Sequence, residues 1–111
     1  MDYVACFYQW GDKILFVRDS QNRLDVVGTK PLSGEEDFVA LSRASGENGF
    51  KPDLAYTRAA KTDDTIYYRS PLRNPIELEE VLFLTPQEAL GNKDLHPELP
   101  DIIRKVFGEN H

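Results

Sequence analysis

The stretch GTKPLSGEEDFVALSRASGENGF, from Gly28 to Phe50, decides how the rest of this chain is read. Gly28 closes an extended run, and Thr29–Leu32, with Pro31 inside it, is a loop. Ser33-Gly34-Glu35-Glu36 fits a capping box, in which a hydroxyl caps the first turn and a glutamate lies three residues on. The spacing therefore predicts a helix over Glu35–Ser45. Glu35, Glu36 and Asp37 would fall in its first turn, where the helix dipole favours negative charge. Phe38, Leu41 and Ala44 recur at intervals of three and give it one apolar stripe. Gly46 and Gly49 mark its end. The segment reads as loop, helix, loop.

Outward from it, strands come first. Tyr3–Trp10 is almost wholly apolar and reads as a buried strand. Gly11-Asp12 is a tight turn, and Lys13–Arg18 completes a hairpin. Leu24–Val27 is a short third strand running into Gly28. Beyond Phe50, Leu54–Ala60 and Thr65–Arg69 form a second strand pair, and Val81–Leu84 is a short buried strand. Thr85-Pro86-Gln87-Glu88 opens a short helix, with a threonine cap, proline at the first helical position and acid in the first turn. Pro100–Gly108 is a final amphipathic helix. The order β-β-β-α-β-β-β-α-α lacks regular βαβ alternation, which predicts an α+β plan: a mixed central sheet with helices on its faces. With 111 residues and no repeat or linker, residues 1–111 read as one domain.

Composition limits the function. Hydrophobic residues make up 41% and charged residues 29%, and the formal net charge is -6. Such a chain repels nucleic acid and anionic membranes, although a small anion could still enter a local basic pocket. The one cysteine, Cys6, sits in an apolar run and reads as a buried, inert thiol. The opening Met1-Asp2-Tyr3 has no basic and apolar leader, and no apolar stretch is long enough to span a bilayer, so a cytoplasmic location is expected. His96 and His111 are the only histidines, which argues against a His/Cys metal cluster. Gly28 and Gly34 do not make a phosphate-cradling P-loop, because Gly-Lys-Ser/Thr is absent. Trp10, Tyr8, Tyr56, Tyr67 and Tyr68 read as sheet residues.

The span from Gly28 to Phe50 resembles the Nudix (MutT-like) family, whose pattern is G-x5-E-x7-R-E-U-x-E-E-x-G-U, with U a bulky aliphatic residue. Gly28 takes the first glycine, Glu47 the second of the paired glutamates, Gly49 the last glycine and Phe50 the closing apolar position, over the full 23-residue length. Tyr3–Arg18 resembles the family's opening hairpin, and Glu77–Leu90 its late strand and short helix. The resemblance implies a Nudix-like α/β/α sandwich with a mixed sheet. It also implies that helix glutamates would hold Mg²⁺ or Mn²⁺ to polarise a pyrophosphate and activate water.

The chemistry departs from the pattern. Gly34 replaces the first glutamate, Ser42 the arginine, Arg43 the next glutamate and Gly46 the first of the pair. A hard divalent cation wants several oxygen ligands, and Glu47, with the Gly28 carbonyl, supplies few. If Glu35 and Glu36 lie in the first helical turn, they stand about 16 Å from Glu47 and cannot share an ion with it. Arg43 has two readings: an i,i+4 bridge to Glu47, or a guanidinium that replaces the metal and grips a phosphate itself. The expectation is a degenerate metal site, no resident cofactor, and a binding role. A nucleotide, a nucleoside-diphosphate ligand or a protein partner would use the old cleft through Arg43, Glu47 and Gly28. The alternative is a divergent hydrolase cleaving a nucleoside diphosphate linked to another moiety, with Glu47 catalytic and Mg²⁺ or Mn²⁺ bound. A purely structural module with a closed cleft is the third reading.

Overall fold

The computed structural model describes residues 3–108. The opening Met1-Asp2 and the terminal His111 considered above lie outside the described residues. Strands β1 (Tyr3–Trp10), β2 (Lys13–Arg18), β3 (Leu24–Asp25) and β4 (Val27–Thr29) precede helix α1 (Asp37–Glu47). Strands β5 (Thr57–Lys61), β6 (Thr65–Pro71) and β7 (Leu82–Leu84) follow, then helices α2 (Pro86–Leu90) and α3 (Leu99–Phe107). Together the strands make a mixed sheet. One edge of β1 pairs antiparallel with β2 and β4, and the other runs parallel to β6 from Tyr3↔Thr65 to Gln9↔Pro71. Strand β7 lies against β2, and β5 closes the far edge beside β6.

The alternation of β1 explains its apolar run. Ala5 and Phe7 face one layer, with Ile14, Phe16, Leu99 and Ile103. Val4, Cys6 and Tyr8 face the other, with Leu15, Leu41, Ala44 and Phe50. A strand buried on both faces needs apolar side chains at every position rather than every second one. Helix α1 covers the second layer, while α2 and α3 cover the first, so the sheet lies between helices as expected. Cys6 is fully buried, and burial pushes its thiol pKa well up, so it stays protonated.

Three local expectations need correction. The third strand is two: Val26 separates β3, which pairs with β2, from β4, which pairs with β1. The pair after Phe50 starts at Thr57 rather than Leu54, because Leu54 adopts φ 65, outside extended backbone. Helix α1 starts at Asp37, with Glu36 as a cap residue whose side chain makes no capping bond. The capping box from Ser33 does not form. Gly34, at φ 78, turns the chain out of any helical path at this point. The Glu35 N–H instead donates to the Leu32 carbonyl (2.9 Å), and the Leu32 N–H donates to Glu35 Oε1 (2.8 Å). The Thr85 box at α2 does form, in both directions.

Candidate functional site

The turn at Gly34 determines the charge arrangement. It ends the loop one residue before Glu35 and folds that carboxylate back along the side of α1. Arg43 Nε and NH2 donate to Glu35 Oε2 and Oε1 at 3.1 and 2.9 Å, a two-pronged contact. The same NH2 donates to the Lys30 carbonyl at 3.3 Å. Arg43 NH1 lies 3.7 Å from Glu47 Oε2, whose side chain is 65% exposed. The Arg43 guanidinium and the Leu32 N–H hold the Glu35 carboxyl below its ordinary pKa, and the two glutamates, Glu35 foremost, raise that of Arg43. The i,i+4 bridge to Glu47 thus exists only as the looser half of a three-residue cluster.

This overturns the separation assigned to Glu35 and Glu47. Glu35 precedes the helix instead of beginning it, and one guanidinium touches both acids. Glu35 and Arg43 are eight positions apart, the separation of the E-x7-R in the family pattern, with both members moved one residue later. Both carboxylates flank one fixed positive charge, the Arg43 guanidinium.

Gly28 lies in β4 opposite Ala5. A Cβ there would meet the Val4 carbonyl at 2.8 Å and the Tyr3 ring at 2.9 Å, so close packing of strands requires glycine. Beside it opens a cavity of about 370 Å³, lined by Tyr3, Asp25, Lys30, Tyr67, His96 and Glu98 among others. Lys30 connects this cavity to the Arg43 cluster. Tyr67 stacks on Phe7, and burial first, then nearby acids including Glu98, push its hydroxyl up to about 12.

Two residues of the cavity wall, Asp25 and His96, belong to a group the sequence reading missed. Asp19, Asp25 and His96 offer ligand atoms within 4.8 Å of one another. His96 comes from a loop that the Leu24↔Leu95 bridge and the bond from the His96 N–H to the Leu24 carbonyl fasten beside β3. All three side chains have protein partners. Asp19 accepts from Arg23 Nε and from the Gln21 and Arg23 N–H groups, Asp25 from the Val26 N–H, and His96 Nδ1 from the Glu98 N–H. Burial raises the Asp25 pKa. Polar residues scattered over a strand and two loops carry no periodicity, so nothing in the sequence signalled this group.

Among the described residues no helix is long and apolar enough to cross a membrane. No protein-family model and no curated protein matches the sequence. Solved structures do match. The structure of a MutT protein from Methanosarcina mazei Go1 aligns over 97% of this chain and 93% of its own, with TM-score 0.75 and 16% identity. A C. elegans Ap4A hydrolase in a binary complex aligns over 96% of each chain, with TM-score 0.72 and 15% identity. A NUDIX hydrolase from Nitrosomonas europaea covers 98% of this chain and 70% of its own, with TM-score 0.68 and 17% identity. Identities this low establish architecture alone, and with the loop-helix-loop of Gly28–Phe50 they establish that this chain has the Nudix-like fold.

Proposed function

We propose that this chain is a non-catalytic Nudix-like domain that binds a nucleotide or nucleoside-diphosphate ligand in the former catalytic cleft, without a metal. The observation that carries this reading is the position of the Arg43 guanidinium between Glu35 and Glu47. A metal-dependent hydrolase uses such carboxylates to hold cations against a pyrophosphate. Here they flank a side chain that offsets one of their two charges and cannot activate water. The Nε–NH2 edge of Arg43 is taken by Glu35, so a phosphate would approach NH1 and displace the exposed Glu47. The cavity beside Gly28 would take the rest of the ligand, with Lys30 at its phosphate end and the exposed Tyr3 ring offering a face for a base. The likeness to an Ap4A hydrolase supports a nucleotide as the ligand class. A cytoplasmic location accords with the acidic, single-cysteine chain.

A panel of nucleoside diphosphates and their conjugates, assayed by thermal unfolding without metal, tests this reading. A ligand at a hundred times its Kd should stabilise the protein by about 2.7 kcal/mol. The gain should vanish in Arg43→Ala when each variant is compared with its own ligand-free form. No stabilisation by any compound, or a gain that survives Arg43→Ala, removes the phosphate role. Mn²⁺-dependent turnover of ADP-ribose or a nucleoside triphosphate should be negligible. A robust rate abolished by Glu47→Gln would establish the divergent hydrolase instead.

A further inference from the structure

The departures at Ser42 and Gly46 have a common location. Both line one cavity of about 430 Å³ on the flank of α1 next to the Arg43 cluster, together with Phe38, Val39, Pro52 and Leu54. The family pattern would put an arginine and a glutamate at Ser42 and Gly46. With serine and glycine there the flank is almost wholly apolar, and a Cβ added at Gly46 would meet nothing within 4 Å. Phe38, Val39 and Leu54 are 45%, 44% and 55% exposed, a concentration of large apolar side chains left open to water on one groove.

Phe38 and Leu54 also line a second cavity of about 520 Å³, whose other walls are Glu36, Asp37, Tyr56 and Tyr68. The Tyr56 and Tyr68 rings meet at 80° with centroids 6.3 Å apart, forming an aromatic corner. Tyr68 donates its hydroxyl to Asp37 Oδ2, and Tyr56 is fixed behind by its bond to the Tyr8 hydroxyl. Two carboxylates and two ring faces suit a cation. Arg58, opposite Tyr68 across β5–β6, offsets one of the two charges. Lys51 lines the apolar cavity and not the aromatic one, so the groove has an acidic aromatic part and an apolar part with one base.

We propose that this double groove is a docking site for a peptide segment of a protein partner that pairs leucine-like side chains with an arginine or lysine. The apolar side chains would fill the Val39–Gly46–Leu54 slot, and the cation would enter the Tyr56–Tyr68 corner beside Glu36 and Asp37. Charge complementarity selects this occupant. An acidic peptide would meet Glu36 and Asp37, and a nucleotide would meet the same repulsion. The groove adjoins the nucleotide cleft but uses other side chains, since neither cavity is lined by Gly28, Lys30 or Arg43.

The test is a titration of the full chain, followed by ¹⁵N amide shifts, with three blocked hexapeptides. One has two leucines flanking an arginine, the second has glutamate in place of the arginine, and the third has serines in place of the leucines. The first should shift amides in the 36–56 stretch and near Tyr68, and the other two should bind at least about tenfold more weakly. Val39→Lys, at an exposed helix position that tolerates lysine, should abolish the response while circular dichroism and the nucleotide-induced thermal shift stay unchanged. Equal binding of the glutamate peptide, shifts confined to the Tyr3–His96 cavity, or no shift at millimolar peptide overturns the proposal. So does a concentration-dependent dimer that Val39→Lys dissociates, which would make the occupant a second copy of the chain.

Discussion

Each departure from the family pattern has a local physical account. Gly34 supplies a left-handed turn that a glutamate would adopt only under strain. That turn brings Glu35 to Arg43, and Ser42 with Gly46 empties the adjoining groove. The identities of these residues were plain in the sequence, but their partners were not. A glutamate one position out of register looks like a capping residue until the turn that redirects it is known. If the guanidinium stands in for a cation, Arg43→Glu should create a divalent site, with Mn²⁺ binding at least tenfold tighter than in the parent protein by electron paramagnetic resonance. Unchanged Mn²⁺ affinity would show that Glu35 and Glu47 do not converge. Leu54 tests a different cost. Its φ of 65 costs about 1–2 kcal/mol in a residue with a Cβ, against about 0.5–1 kcal/mol of extra chain entropy that glycine loses on folding. Leu54→Gly should therefore stabilise the fold by about 0.5–1 kcal/mol in urea denaturation, while weakening any peptide bound in the groove. A loss of stability would mean that Leu54 packs better than its exposure indicates.

At the scale of elements, the sequence was most readable where one segment carries its own signals. The hairpin of β1 and β2, the existence of α1 and the capped start of α2 all rest on local patterns, and all form. The parallel pairing of β1 with β6 joins residues some sixty positions apart, and no local signal encodes it. The loop carrying His96 reached its place by the same kind of long-range contact. The two capping boxes show the limit. Ser33 and Thr85 have equal claims by composition, yet only Thr85 accepts a bond from the third helical residue, the Glu88 N–H at 3.1 Å. The difference is the glycine that follows Ser33. Accordingly, Thr85→Ala should cost about 1 kcal/mol, and Ser33→Ala should stay within about 0.5 kcal/mol of the parent, as an ordinary surface change does. Equal costs in urea denaturation would contradict this account of the α1 start.

For the whole molecule the decisive quantity is how its carboxylates respond to acid. Glu35, Glu88 and Asp19 are all held below their ordinary pKa: Glu35 foremost by Arg43, Glu88 by the Thr85 N–H, and Asp19 by the Arg23 N–H. A carboxylate whose pKa is lower folded than unfolded stabilises the fold above its unfolded value, and that stabilisation disappears as pH falls through the folded value. With ordinary values of 4.5 for glutamate and 3.8 for aspartate, the losses begin near and below those points. Asp25 has the opposite sign. Burial raises its pKa above 3.8, so the folded state holds its proton more tightly than the unfolded chain does. As pH rises above 3.8 the unfolded chain ionises first, and Asp25 becomes a constant penalty once pH passes its folded value. Asp25→Asn removes that penalty and keeps an oxygen to accept the Val26 N–H, now 2.8 Å from Asp25 Oδ1. The variant should therefore melt above the parent at pH 7, and the gap should close as pH falls below 3.8, while both proteins lose stability together through the other three groups. A gap that is constant with pH would place the effect of the substitution in packing. A gap of opposite sign would show that Asp25 serves the fold as a carboxylate.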